Sequence, residues 1–84
     1  MTIENVLRNY VNENLLFGDD SISYTDDDSF IEKGIIDSIA ILELVMFVQE
    51  SFELKIDDQE ITPGHFDSIK NLAAFIRSKQ NGHQ

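Results

Sequence analysis

Three stretches of this chain place apolar residues at i, i+3, i+4 and i+7, and that spacing directs it toward helices. Ile3, Val6, Leu7, Tyr10 and Val11 form one stripe. Ile41, Leu44, Val45, Val48 and Phe52 form a second, and Ile69, Leu72, Ala73 and Ile76 a third. Side chains so spaced line one face of a helix, the face a core can bury. Strand periodicity does not compete: Leu54–Asp57 alternates, but it is short and lies between helical segments.

Punctuation marks the ends. Thr2 suits the cap of the first helix, and Gly18 suits its stop after Leu16–Phe17. The second helix is expected from Ser38 to about Phe52. Ile56 and Ile61 lie in the connector that follows. Thr62–Pro63 reads as cap and first position of a short helix through Phe66. Asp67 or Ser68 then caps the last helix. The reading is an all-α chain with three main helices, one short one, and a long polar first loop, GDDSISYTDDDS. In that loop Ile22 and Tyr24 are expected to be pinned to the core. Ser29–Glu32 has capping-box spacing, but Gly34 limits it to a single turn. A loop this long in so small a domain is uncommon and often functional.

The 84 residues fit one domain, 1–84, with a polar tail from about residue 78 that is expected to fray. There is no cysteine, which excludes disulfides and thiolate metal sites and suits a cytoplasmic protein. The first residues show no secretory pattern, and no apolar run approaches the roughly 18 residues of a membrane span. Net charge is −10. Between Asp19 and Asp67 there are fourteen Asp or Glu and two Lys, Lys33 and Lys55. Nucleic acid needs clustered Lys and Arg and is excluded as a partner. A basic protein surface is complementary to this charge; solubility alone also accounts for it.

The second helix carries one apolar face too many. At about 100° per residue, Ile39, Leu42 and Met46 fall outside the core sector and form a stripe of their own, bordered by Glu43 and Glu50. Either the short helix or the long loop covers this stripe, Leu42 especially, or Ile39 and Met46 stand exposed for a partner. Small apolar patches rimmed by charge mark interaction sites, and methionine adapts to several partners.

The triplet Asp-Ser-Ile occurs twice, at Asp37–Ile39 and Asp67–Ile69. Both copies open a helix, where Asp and Ser satisfy free N–H groups. A catalytic Ser38 would need a base, and the only histidines are His65 and His83, the latter in the tail. There is no G-x-S-x-G elbow, no EF-hand loop and no Gly-rich phosphate loop. No catalytic residue and no dedicated metal site is expected. Ser38 instead reads as the substrate of another enzyme. The start of a helix also receives an added anion well.

FIEKGIIDSIAILELVMFVQESFELKI, and within it Gly34–Ile39 followed by Glu43–Val45, resembles the core motif of acyl carrier proteins and related thiolation domains of the discrete, stand-alone type. The resemblance covers nearly the whole chain. It implies a four-helix bundle without catalysis of its own, monomeric, with a 4′-phosphopantetheine arm from coenzyme A esterified to Ser38 by a phosphopantetheinyl transferase. The arm's thiol would carry an acyl or aminoacyl cargo as a thioester. Asp37 matches the acid beside the modified serine. Ile39 and Met46 match apolar positions presented to partner enzymes, and Glu43 an acidic position on the same helix. With Glu50 on the border of the stripe they form the expected recognition face for partners with basic docking surfaces. Ala40 stands where fatty-acid carriers often have an acid, and Gln49 and Ser51 replace others. The Gly-Ile-Ile-Asp-Ser form at Gly34–Ser38 looks more like that of discrete carriers of specialised pathways, including those fed by adenylating ligases. The alternatives are an aminoacyl or peptidyl carrier loaded by an adenylating ligase, and an acidic adaptor that keeps the fold and is never modified.

Overall fold

The structure, a computed structural model, describes residues 2–16 and 23–82. Helix α1 (Ile3–Tyr10) starts at Thr2, whose Oγ1 accepts the Asn5 N–H at 3.1 Å. It does not run on as an α-helix toward Phe17. It widens at once into a π-helical turn, Val11–Leu15, closed by Leu16 N–H donating to the Val11 carbonyl at 2.9 Å. Leu7 and Val11 stay fully buried, and the looser turn brings Leu16 into the core as well. The expected stop at Gly18 and the pinning of Ile22 lie outside the described residues.

Helix α2 (Ser38–Phe52) is capped by Asp37, whose carboxylate accepts the Ala40 N–H at 2.8 Å. Its core face is the expected one: Leu44, Val45 and Val48 are buried, and Ile41 and Phe52 are half-buried against the cluster. It ends at Glu53, which takes the left-handed conformation (φ 55°, ψ 50°) that terminates many helices. Gln49 fastens the exit. Its carbonyl accepts the Leu54 N–H at 3.2 Å and its side-chain oxygen the Ile56 N–H at 2.8 Å.

A short 3-10 turn, Asp58–Glu60, then precedes α3 (Pro63–Phe66). Proline holds the first position of α3 as expected, while the Thr62 side chain makes no capping bond. Phe66 is fully buried. Helix α4 (Ile69–Gly82) buries Ile69, Leu72, Ala73 and Ile76, the whole expected stripe, and adds Phe75. It continues through residues 78–82, so these residues of the expected polar tail are helical. Nothing breaks the helix before Gly82, and Lys79 anchors its last turns on Glu60 at 2.9 and 3.1 Å.

The first loop is tied down in its second half. Tyr24 is half-buried and meets the fully buried Phe30 edge-on at 5.7 Å. Arg8 pairs with Asp26 at 2.6 Å, and the Asp26 carbonyl accepts the Lys70 N–H at 2.9 Å. Asp67 accepts three bonds from the turn: its carbonyl takes the Phe30 N–H at 2.6 Å, and its carboxylate takes Ser29 Oγ at 2.6 Å and the Ile31 N–H at 3.0 Å. Half of the expected capping box forms, with Ser29 Oγ accepting the Glu32 N–H at 3.1 Å. Gly34 closes the turn at φ +72°, where a side chain would be strained. The architecture is a helical bundle without strands among the described residues.

Candidate functional site

The buried pair Ile35–Ile36 leads out of this turn and sets Asp37 and Ser38 at the surface. The two Asp-Ser-Ile copies are then used one register apart. In the first, Asp37 is the cap and Ser38 the first helical residue, exposed and outside the capping bond. In the second, Ser68 is the cap. Its Oγ accepts the Asn71 N–H and its carbonyl the Leu72 N–H, both at 3.0 Å, and the residue is only 4% exposed. Asp67 is thereby released to hold the turn before Ser38.

At the start of α2 the Ala40 and Ile41 N–H groups are taken by the side chain and carbonyl of Asp37. The Ser38 and Ile39 N–H groups make no hydrogen bond among the described residues, and with the helix dipole they favour an anion at this end.

His65 does not serve Ser38. Its ring is stacked on Phe75 at 4.4 Å, with Nδ1 2.8 Å from the Glu60 carbonyl. Among the described residues no group of three His, Asp or Glu side chains is arranged to hold a metal ion.

The second stripe of α2 faces solvent: Ile39 is 69% exposed, Leu42 56% and Met46 60%. Among the described residues the cover considered for Leu42 is not there. Glu43 and Glu50 rim this surface, and neither joins an ion pair among the described residues. Ile31, on the turn held by Asp67, is 46% exposed and is a further apolar group that helical spacing could not reveal, because it lies in a turn.

Sequence reasoning also missed a groove between the π-helical turn and α2. A cavity of about 270 Å³ begins at Ile35–Asp37 and Ile39 and reaches Asn14, Leu15 and Glu43. A second, of about 410 Å³, reaches on from Asn14 and Glu43 to Tyr10, Met46, Phe47 and Glu50. Tyr10 and Phe47 stack at 4.0 Å. Burial, and then the charge of Glu43, push the Tyr10 hydroxyl pKa up. The only signal in the sequence was the helical spacing of Glu43, Met46, Phe47 and Glu50; what faces them is set by the π turn.

The model of the phosphopantetheine attachment-site family matches residues 5–76. The chain belongs to that family. Over 46 residues, 55% of this chain, it is 35% identical to a probable acyl carrier protein, PigG, of Serratia sp.. That stretch spans 53% of the relative, so the chain spans about half the length of the curated relative it matches. The fold matches an acyl carrier protein from Thermotoga maritima with a TM-score of 0.68 and 27% identity, over 100% of this chain and 96% of that one. It also matches a chain in a crystal structure described as an FAD-dependent dehydrogenase. There the TM-score is 0.70 and identity 31%, over 83% of this chain and 97% of that one. The bundle is thus of acyl-carrier type, and its family is that of domains to which 4′-phosphopantetheine is covalently attached. No helix among the described residues is long and apolar enough to cross a membrane.

Proposed function

We propose that Ser38 bears the arm, and that the carrier holds acyl or aminoacyl intermediates on it for enzymes of fatty-acid, polyketide or related specialised biosynthesis. One observation supports Ser38 above all: it is exposed at the first position of α2 with its capping duty taken by Asp37, whereas Ser68 is buried and engaged as a cap. In the attachment step Ser38 Oγ displaces the nucleotide half of coenzyme A at phosphorus. A phosphodiester forms, the adenosine bisphosphate leaves, and the serine proton passes to a base on a phosphopantetheinyl transferase. The Ser38 and Ile39 N–H groups at the start of α2 would favour the phosphate's charge, a helix-end interaction of about 0.3–1 kcal/mol. The thiol at the arm's end supplies the thioester chemistry that a chain without cysteine lacks.

Partner enzymes with basic surfaces meet Ile39, Leu42 and Met46 between Glu43 and Glu50; Asp37 sits beside the attachment point. Cytoplasmic location fits the lack of cysteine and the source of the arm. A flavin-dependent dehydrogenase is one partner class to assay, given the structure in which a similar chain occurs.

Intact mass after incubation with coenzyme A and a broad-specificity transferase tests the assignment. Wild type and Ser68→Ala should gain one phosphopantetheine, and Ser38→Ala none. Labelling of Ser38→Ala would overturn the site. An unchanged wild-type mass would favour the unmodified adaptor.

A further inference from the structure

The groove beside α2 starts at the attachment point. Asp37 and Ile39, the two neighbours of Ser38, both line its near cavity. The near and far cavities share Asn14 and Glu43, so they meet at that pair. Along the helix axis Glu43 lies about 7.5 Å below Ser38, and Glu50 about 18 Å. A flexible arm tethered at Ser38 therefore has a path that runs parallel to α2.

The two halves differ in chemistry. The near half is walled by Leu15, Ile35, Ile36 and Ala40 and closes on the polar pair Asn14 and Glu43. Asn14 is held in place, its amide nitrogen donating to the Tyr10 carbonyl at 3.2 Å. This matches an arm that is mostly aliphatic but carries amides. The far half has the stacked Tyr10–Phe47 pair and Met46, with Glu43 and Glu50 at the edges. Neither carboxylate has an ion-pair partner among the described residues. Aromatic faces and unpaired carboxylates attract a cation. A long alkyl chain laid there would desolvate both carboxylates without compensation.

We infer that this groove seats the Ser38 arm and receives, at its far end, a cargo with a cationic head, an aminoacyl group rather than a long aliphatic acyl chain. The inference rests on Ser38 bearing the arm.

The test uses the full chain loaded from coenzyme A analogues in which an amide replaces the thioester. Alanyl and propionyl analogues differ chiefly by the ammonium group; an octanoyl analogue supplies the long chain. Loading is read by intact mass, and the groove by backbone amide NMR shifts. The alanyl form should move the amides of Asn14, Glu43, Phe47 and Glu50 away from their positions in the propionyl form, and the octanoyl form should leave them near those of the bare arm. In the Glu43→Gln/Glu50→Gln double variant, the alanyl–propionyl difference at Asn14 and Phe47 should be lost. If the mass rises but alanyl and propionyl spectra coincide in the groove, or octanoyl moves the same amides as far, the groove inference falls and the Ser38 assignment stands. If no analogue raises the mass, both fall.

Discussion

Ser38 and Ser68 sit in the same triplet, yet a single step in register separates their roles. When Asp37 caps, the serine after it becomes a surface residue of the first turn. When Ser68 caps, the aspartate before it is free to accept bonds from elsewhere. Ser68→Ala should cost about 1 kcal/mol through the lost cap. For a domain of this size that lowers the unfolding midpoint by roughly 4–8 °C. Thermal unfolding followed by circular dichroism reads the shift. An unchanged midpoint would show that the cap contributes nothing. Gln49 makes a similar point: its amide oxygen holds the Ile56 N–H where the chain leaves α2.

At the scale of elements, the turn before α2 is held by the start of α4. Asp67 accepts from Ser29, Phe30 and Ile31, so the loop that presents Ser38 is fastened to a helix far along the chain. Asp67→Ala should destabilise the protein by about 2 kcal/mol, since two bonds to a carboxylate are lost. Hydrogen exchange should quicken at Ile31 and its neighbours while Asn71 and Leu72 keep their protection. Loss of protection at Asn71 first would mean that Asp67, not Ser68, starts α4. The exposed stripe carries its own prediction. Met46→Glu and Glu43→Lys should each weaken binding to a partner enzyme several-fold, measured by calorimetry, while thermal unfolding stays within a few degrees of wild type. Unfolding of either variant would show the position to be structural, which its exposure argues against.

At the scale of the whole molecule, Glu4 on α1 and Arg77 on α4 join elements from opposite ends of the chain through two bonds of 2.7 and 2.8 Å. The Arg77 hydrogen bonds, above all, hold the Glu4 carboxyl at about 2 instead of its ordinary 4.5. A carboxyl with a lowered pKa in the fold contributes stability above its unfolded value and loses it as pH falls. Wild type should therefore be more stable than Glu4→Gln at pH 7. That gap should narrow below about pH 4.5 and close near pH 2. A gap that is constant across this range would remove the pair from the stability of the bundle. How much of the molecule could be read in advance follows from the range of the interactions. The three helical stripes and the surplus face of α2 rest on residues a few positions apart, where helical geometry ties spacing to direction. The clamp from Asp67 to Ser29 spans 38 positions. The groove depends on a π turn that swings Asn14 toward Glu43, and the end of α4 depends on Lys79 finding Glu60. None of these has a local signature, because each partner is supplied by packing rather than by its neighbours in the chain.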